Sequence, residues 1–209
     1  MAALAGLILI SPVLLVTAIW IKLDSPGPVF YRALRAGRFG RPFRIFKLRT
    51  MVVGADKIGG AETPADDPRL TRLGPFLRRY KLDELPQLIN VFKGDMSLVG
   101  PRPEVLEEVV LYSEEQKRIL GVRPGITDWA SIKFRDEDEI LRGSPDPHRD
   151  YHLLIRPEKM RLGLAYVENH GFWTDMKILW TTAKVVLFPP PAGQKEIYEP
   201  SSAQPQARH

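Results

Sequence analysis

Hydrophobic residues are concentrated at the start of the chain, where residues 1–21 contain no ionisable side chain. A helix of that length extends roughly 31 Å at about 1.5 Å per residue, just enough to cross the apolar core of a bilayer. Pro12 leaves the carbonyl of Ile8 without its helical donor, so we expect a kink there. The pattern predicts either one membrane span or a re-entrant hairpin that enters and leaves by the same face. It is not typical of a cleaved signal peptide, since no basic region precedes it.

Aromatic and β-branched residues recur in the segment that follows and predict two strands, over residues 29–36 and 43–51. Residues 37–42 contain Gly and Pro and would connect the strands as a hairpin. The hairpin region is strongly basic, with only Asp24 as a counter-charge; its cations are Lys22, Arg32, Arg35, Arg38, Arg41, Arg44, Lys47 and Arg49. By the positive-inside rule this side of the membrane is the cytoplasm. A solvated surface near lipid headgroups and a binding site for a polyanion both fit this pattern.

Residues 54–70 are rich in Gly, Ala, Asp and Pro, which predicts a loop. The stretch after this loop carries apolar residues at the spacing of one helix face, namely Leu85, Leu88, Ile89 and Phe92. Asp83 stands where an N-cap belongs, and Gly94 is a typical stop signal. Asp83 and Glu84 are therefore predicted at the positive end of a helix, which suits a phosphate or a metal–phosphate complex. The alternative is that Asp83 only caps the helix.

Two rigid Pro/Gly turns, at residues 99–103 and 122–127, each present an arginine. Arginine suits bidentate phosphate recognition, and proline restricts where such a turn can point it. Together with the turn before the Asp-Glu pair, these turns predict a cradle for a diphosphate made of Arg78, Arg79, Arg102 and Arg123.

The C-terminal third offers weaker signals. A helix is predicted over residues 172–188, and its Trp and Lys residues suit either the membrane interface or the protein core. The acidic stretch 136–138 mimics a metal motif but has loop character, so we expect a solvated loop. Three histidines have no metal-ligand spacing and are expected in surface or packing roles: His148, His152 and His170. Residues 189–209 are Pro-rich and polar, which predicts a poorly ordered or partner-bound tail.

Composition narrows the function classes. The chain is 44% hydrophobic and 26% charged, which is typical of a folded protein and excludes a disordered chain or a polytopic transporter. The absence of Cys excludes disulfides, a Cys-based zinc site and a thiolate nucleophile. The net charge of +5 permits nucleic-acid binding. However, proteins that bind single-stranded nucleic acid normally interleave aromatic residues with their basic patch, whereas the basic run of this chain adjoins a membrane segment. A noncatalytic polybasic membrane module explains the anchor and the charge, but not the Asp-Glu pair or the arginine turns.

Several motifs keep their order and spacing from about residue 10 to residue 180: Ser11-Pro12, FKLRTM at 46–51, LDELPQLINV at 82–91, KGDMSLVGPRP at 93–103 and RPGIT at 123–127. By these motifs the sequence resembles the catalytic domain of the bacterial sugar transferases, the monotopic phosphoglycosyl transferases. The resemblance implies transfer of a phospho-sugar from a UDP-sugar to polyprenol (undecaprenyl) phosphate, with release of UMP.

The resemblance also implies roles for individual residues. Asp83 would attack the sugar-bearing phosphate and form a covalent phospho-sugar enzyme, and Glu84 would be associated with a Mg²⁺ site. An ionised, oriented carboxylate is what a nucleophile requires, and Mg²⁺ binds through one or two carboxylates plus substrate phosphates. The residues that would contact phosphate are Lys47, Arg78, Arg102 and Arg135.

The predicted fold is α+β, with a re-entrant membrane helix at 1–22, a mostly helical cytoplasmic domain at 23–188 and the tail at 189–209. The domain would carry the small β-hairpin and interfacial amphipathic helices. The resemblance implies a monotopic protein of the bacterial inner membrane, with the helix broken at Ser11-Pro12 and the catalytic domain facing the cytoplasm. Expected partners are a UDP-sugar, polyprenol phosphate, membrane lipids and a second copy of the chain, and no nucleic acid.

The chain departs from the resemblance at three places. Residues 128–131 are Asp-Trp-Ala-Ser where many relatives have Gly-Trp-Ala-Gln, and Lys133-Phe134 replaces the usual Asn-Gly before Arg135. Gly163 stands where an acidic residue is common. These departures leave the Asp-Glu pair intact and concern the choice of sugar and the role of Arg135.

Overall fold

The computed structural model describes residues 2–60 and 62–188. Helices dominate these residues, and the α-helices are α1 (Ala2–Asp24), α2 (Gly74–Arg79), α3 (Gln87–Lys93), α4 (Leu106–Val110), α5 (Trp129–Lys133), α6 (Glu137–Ile140), α7 (Pro147–Asp150), α8 (Arg156–Asn169) and α9 (Phe172–Leu187). The strands are β1 (Phe30–Tyr31), β2 (Leu34–Ala36), β3 (Pro42–Arg44), β4 (Lys47–Leu48), β5 (Ser97–Val99) and β6 (Gly125–Thr127). The predicted tail at 189–209 lies outside the described residues.

Helix α1 is the described helix that is long and apolar enough to cross a membrane, over Ala3–Asp24, and little of its surface is buried. It continues through Pro12. The Ser11 hydroxyl donates to the carbonyl of Ile8 at 2.8 Å, which is the carbonyl that Pro12 deprives of its helical donor. The backbone group that the sequence left without a partner is therefore satisfied within the same turn.

The C-terminal end of α1 is fixed to the rest of the chain. Ile21 is buried in an apolar cluster with Leu48 of β4 and with Leu73 and Leu77 at α2. After the helix ends, the buried guanidinium of Arg49 donates to the carbonyls of residues 25 and 26 at 2.8 and 2.6 Å. The hairpin thus holds the turn that follows α1.

The predicted hairpin is confirmed, but each of its strands is divided in two. β1 pairs with β4 and β2 pairs with β3, both antiparallel. The break has a physical cause, because the amide of Phe46 donates to the side chain of Asn90 at 2.9 Å instead of joining the ladder. The loop 37–42 contains a 3₁₀ turn at Arg38–Gly40.

The amphipathic helix of the sequence prediction begins later than expected and buries the opposite face. Asp83 lies in a 3₁₀ turn, Leu82–Glu84, and α3 starts at Gln87. The side chains enclosed by the protein are Gln87 and Asn90, whereas Phe92 is 58% exposed. The partly buried Leu88 approaches Gly6 of α1, where a Cβ would lie 3.2 Å from Leu88 Cδ1. The apolar face of α3 therefore adjoins the membrane helix rather than the core.

The two Pro/Gly turns flank a parallel strand pair that the sequence did not predict, in which β5 pairs with β6. A Cβ on Gly125 would meet backbone atoms of Gly100 within 2.6 Å, so the two backbones approach as closely as glycine allows. The main core cluster packs beside this pair and contains Val99, Trp129, Ala130, Leu162, Tyr166 and Ile178.

The helix predicted over 172–188 is confirmed as α9. Ile178 is fully buried, while Trp173 and Trp180 are largely exposed, so one face packs in the protein and another faces outwards. The solvated loop predicted at 136–138 is wrong, because this stretch opens α6 and Glu137 accepts from Lys159 at 2.6 Å.

Candidate active site

The Asp-Glu pair lies on the short 3₁₀ turn between α2 and α3. Asp83 is 6% exposed, and its Oδ1 has no hydrogen-bond partner among the described residues. No side chain caps α3, so the alternative in which Asp83 only caps a helix is wrong. A buried carboxylate oxygen without a partner is costly for folding, which makes it a candidate for chemistry.

The charges around Asp83 compete with its burial. Desolvation raises the pKa of Asp83 above its ordinary value, and the neighbouring Glu84 adds to this rise. Lys47, Lys81 and Arg78 act in the opposite direction and lower the pKa. Asp83 therefore lies in a cationic surrounding that favours its ionised form without fully offsetting its loss of hydration.

Glu84 is held much more firmly than Asp83. Its Oε1 accepts from Lys47 Nζ at 3.1 Å. Arg102 donates to both carboxylate oxygens, with Nη1 at 2.9 Å from Oε2. Burial disfavours the charged form, but Arg102 and Lys47 outweigh it and keep the pKa of Glu84 well below its ordinary value. The paired Glu84 carboxylate in turn raises the pKa of Arg102, whereas burial lowers that of Lys47.

Different elements bring these cations to the pair. Lys47 comes from β4, and Arg102 comes from the turn after β5. Arg78, in the last turn of α2, donates from Nε to the Thr50 hydroxyl at 3.1 Å. Because β4 and α2 are also tied to α1 through a shared apolar cluster, the position of the site is fixed relative to the membrane helix.

Arg135 is buried and partly satisfied by backbone groups. Its Nη2 donates to the carbonyl of Arg79 at 3.3 Å, while its Nε has no partner among the described residues. Lys81 donates to the carbonyl of Arg135 at 2.9 Å. This arrangement ties the turn that carries the Asp-Glu pair to the segment after α5.

All of the predicted site residues line one cleft with a volume of 1130 Å³; they are Lys47, Arg78, Asp83, Glu84, Arg102 and Arg135. Two arginines of the predicted diphosphate cradle are not brought there. The side chains of Arg79 and Arg123 are exposed and do not line the cleft. The cradle prediction is therefore wrong for these two residues, and the predicted cations that line the cleft come from the hairpin, α2, the turn after β5 and the segment after α5.

Comparison with known proteins decides the family. Residues 1–189 match the sequence pattern of the bacterial sugar transferase family. The uncharacterized sugar transferase EpsL of Bacillus subtilis is 39% identical over 186 residues, which cover 89% of this chain and 83% of that protein. The chain belongs to the bacterial sugar transferase family.

Two relatives carry more detailed names. The UDP-N-acetylgalactosamine-undecaprenyl-phosphate N-acetylgalactosaminephosphotransferase of Aeromonas hydrophila is 36% identical over 190 residues, covering 90% of this chain and 42% of that protein. The UDP-glucose:undecaprenyl-phosphate glucose-1-phosphate transferase of Escherichia coli K12 is 38% identical over 184 residues, covering 84% of this chain and 36% of that protein. The present sugar transferase thus spans less than half the length of these two relatives.

The structure of this sugar transferase adds two site residues that sequence reasoning missed. Lys81 has a φ of 53°, a left-handed conformation that is strained for a residue other than glycine, and it lines the cleft directly before the pair. Asn90 is fully buried, and its amide accepts from the backbone of Phe46 and donates to the carbonyl of Arg44 at 2.9 Å each. Asn90, on the helix that follows Glu84, therefore holds the strand segment directly before Lys47 against that helix.

The oxygen donors of the pair suit a hard divalent cation. The unpartnered Oδ1 of Asp83 and the adjacent Glu84 carboxylate are ligands of the kind that Mg²⁺ takes in combination with substrate phosphates. Among the described residues, Oε1 of Glu84 accepts from both Lys47 and Arg102, whereas Oε2 accepts from Arg102 alone and keeps a lone pair for a metal. A substrate phosphate that takes over a contact of Lys47 or Arg102 would make Oε1 available as well.

Proposed function

We propose that this sugar transferase moves a phospho-sugar from a UDP-sugar to polyprenol phosphate through a covalent aspartyl intermediate on Asp83, with release of UMP. The names of the relatives support the substrate class. The observation that carries the mechanism is the buried, unpartnered carboxylate oxygen of Asp83, which faces a cationic cleft. A nucleophile needs a free oxygen that no structural contact occupies.

In the first half-reaction, an oxygen of Asp83 attacks the phosphorus that bears the sugar. A bond forms between them, and the bond from that phosphorus to the oxygen bridging the two phosphates breaks. This oxygen leaves with UMP. In the second half-reaction, an oxygen of polyprenol phosphate attacks the same phosphorus, the bond to Asp83 breaks, and the carboxylate is regenerated as the polyprenyl-diphosphate-sugar leaves.

The cations of the cleft divide the remaining work. Lys47 and Arg102 hold Glu84 ionised and lie where they can contact the diphosphate, and Arg78 lowers the pKa of Asp83. Arg135, whose Nε has no partner among the described residues, contributes a further donor to phosphate. Phosphoryl transfer depends largely on this kind of positioning and charge stabilisation.

We include Mg²⁺ in this proposal, held by Glu84 together with substrate phosphates. The ion would neutralise charge on the two phosphates when bound.

We also propose that α1 enters and leaves by the cytoplasmic face of the bacterial inner membrane, with the catalytic domain in the cytoplasm. The outward tryptophans of α9 would then lie in the interface with the lipids.

The proposal is tested with Asp83→Asn, which removes the nucleophile and keeps the shape of the side chain. We expect turnover to fall at least ~10³-fold, on the scale of losing an essential nucleophile. Wild-type enzyme given UDP-sugar without lipid acceptor should release UMP and gain the mass of one phospho-sugar on the peptide that contains Asp83. The variant should show no adduct, which intact and peptide mass spectrometry would establish.

Asp56→Asn serves as the matched control, since Asp56 is an exposed carboxylate that lines the same cleft outside the pair. It should keep both turnover and adduct. The melting temperature of Asp83→Asn should be no lower than that of the wild type, because a neutral amide is less costly to bury than a carboxylate. Substantial activity in sequence-verified Asp83→Asn, with no deamidation, would mean that the nucleophile lies elsewhere.

A further inference from the structure

A second cluster of ligand-type side chains lies away from the Asp-Glu pair. Glu108 of α4, His148 of α7 and His152 of the following π-helical turn, Tyr151–Ile155, each offer an atom, and these atoms all lie within 4.8 Å of one another. The expectation that these histidines lack metal-ligand spacing is wrong for two of them. The chain stays helical from α7 into the π turn, so residues four apart share a face and their rings lie 4.4 Å apart.

The contacts inside the cluster resemble the inner shell of a metal site. His152 Nε2 lies 3.1 Å from Glu108 Oε1. Two ligands that each lie about 2.0–2.2 Å from a tetrahedral Zn²⁺ are separated by a similar distance. Imidazole nitrogen favours zinc and the later transition metals over Mg²⁺, which prefers oxygen ligands alone.

The contacts around the cluster resemble an outer shell. His148 Nδ1 lies 3.1 Å from Glu62 Oε1, which leaves its Nε2 for a metal. Arg156 Nε donates to Glu108 Oε2 at 3.1 Å, so Oε1 is the carboxylate oxygen that faces His152. Carboxylates that orient metal-bound histidines, and donors that orient metal-bound carboxylates, are the usual supports of such sites.

We propose that Glu108, His148 and His152 bind a zinc-like divalent cation, with water completing the coordination. The ligands would be Glu108 Oε1 and the Nε2 atoms of the two histidines. The exposed side chain of His148 leaves the site open to solvent, and Glu108 is buried beneath it. The site is separate in chemistry from the Asp-Glu pair, which offers oxygen atoms alone.

The bound ion would join parts of the chain that are far apart in sequence. Glu108 and Glu62 also line the cleft that contains Asp83. The ion would therefore link α4, α7 and, through Glu62, the loop 54–70 at one wall of that cleft. This consequence does not depend on the reaction proposed for the cleft.

The test uses the untagged full chain in detergent, with Mg²⁺ in excess to occupy oxygen-only sites. Calorimetric titration with Zn²⁺ should show one equivalent bound, and titration with Co²⁺ should produce the visible bands of a low-symmetry nitrogen–oxygen site. His152→Ala should weaken binding at least 100-fold. Glu62→Gln, which alters only the outer shell, should weaken binding about 10- to 100-fold.

His170→Ala is the matched control, because His170 lies outside the cluster, with its ring nitrogen near a local backbone carbonyl, and should leave binding unchanged. Folding is checked by thermal melting without metal, where the exposed position of His148 predicts that His148→Ala melts like the wild type. Zn²⁺ should raise the melting temperature of the wild type and not that of His148→Ala. No binding by the wild type, or equal binding by the wild type, His148→Ala and His152→Ala, would overturn the proposal.

Discussion

Asp83 and Glu84 are adjacent in the chain, but their surroundings assign them opposite properties. Glu84 is ionised through its contacts with Arg102 and Lys47, whereas burial raises the pKa of Asp83. A carboxylate with an elevated pKa is more basic and therefore more nucleophilic when it is ionised. Lys47 and Arg102 thus fix the Glu84 carboxylate, while Asp83 beside it keeps an oxygen without a partner among the described residues.

The pH dependence of the reaction follows from this balance. The proposed nucleophile acts only when ionised, so kcat/KM should fall on the acid side at a pH above the ordinary range for aspartate. Lys47 lowers the pKa of Asp83, so Lys47→Met should raise that pKa further and move the acid limb to higher pH. Measured pH profiles of kcat/KM for the two proteins provide the check.

Lys93→Met is the control for this comparison, since Lys93 is an exposed lysine paired with Asp95. Its acid limb should coincide with that of the wild type. If the acid limb of Lys47→Met stays in place or moves to lower pH, the group that titrates is not Asp83 with its pKa lowered by Lys47.

Metal dependence is a second prediction at this scale. Two substrate phosphates that approach two carboxylates repel them, so turnover should require a hard divalent cation and disappear in EDTA. Addition of Mg²⁺ should restore it. Glu84→Gln should lower turnover and the apparent affinity for Mg²⁺ while the protein remains folded, as checked by a thermal melt. Undiminished turnover in EDTA would contradict the role proposed for the metal.

At the scale of elements, α3 shows what a hydrophobic period can and cannot predict. The spacing of Leu85, Leu88 and Phe92 predicts a helix, and a helix forms there. The spacing of these apolar residues does not say whether their face packs against the protein core or against the membrane helix. Gln87 and Asn90 also lie three residues apart on one face, and this face is the buried one. That polar repeat was the signal that could have identified Asn90 in advance.

Other parts of the site leave no trace in local sequence. Lys81 adopts a left-handed conformation for which lysine has no preference, so its local sequence does not predict it. The β5–β6 pair joins two three-residue strands across more than twenty residues, and each strand is too short to show a period. The Pro/Gly turns could be predicted from composition, but which arginine reaches the cleft depends on the strand pairing. Arg102 lines the cleft, whereas Arg123 is exposed and does not.

The close approach of Gly100 and Gly125 yields a prediction for this element. A methyl group on Gly125 would lie 2.1 Å from the backbone nitrogen of Gly100, so Gly125→Ala must separate β5 from β6. We expect a loss of about 3 kcal/mol in the free energy of unfolding, at the upper end for overpacking. Turnover should also fall, because the turn after β5 carries Arg102. Chemical denaturation in detergent measures the first effect.

Gly121→Ala is the matched control, because no heavy atom of the described residues, apart from its chain neighbours, lies within 4 Å of the position of an added Cβ. This variant should unfold within about 0.5 kcal/mol of the wild type, as surface substitutions usually do. Equal stability of the two variants would contradict the close approach of the strands.

For the whole molecule, the sequence predicted the order of parts well: an apolar helix, a basic hairpin, an Asp-Glu pair next to a short amphipathic helix, and a C-terminal helix. These features depend on runs and periods that are local. The path of α1 relative to the bilayer depends on its surroundings, and the hydrogen bond from Ser11 makes the continuation through Pro12 compatible with an apolar medium.

Topology can be tested directly because the chain has no Cys. Single-Cys variants at Ala2 and Pro26 place one thiol at each end of α1. For a re-entrant helix, an impermeant maleimide should label neither thiol from the periplasm of intact cells and both in inverted vesicles. Labelling of the position-2 thiol from the periplasm, with the other thiol reachable only from the cytoplasm, would establish a span and contradict the hairpin.

The grip of Arg102 on Glu84 has a consequence for selectivity. The cleft contains its own anion, the Glu84 carboxylate, paired with the guanidinium that we propose contacts the substrate. An incoming ligand must therefore replace Glu84 as the partner of Arg102, and a single phosphate group only exchanges one ion pair for another. A diphosphate also brings a second anionic group, which can contact a further cation of the cleft. Inorganic phosphate and mononucleotides are abundant in cells, and a site that recognises its substrate by exchange would stay available in their presence.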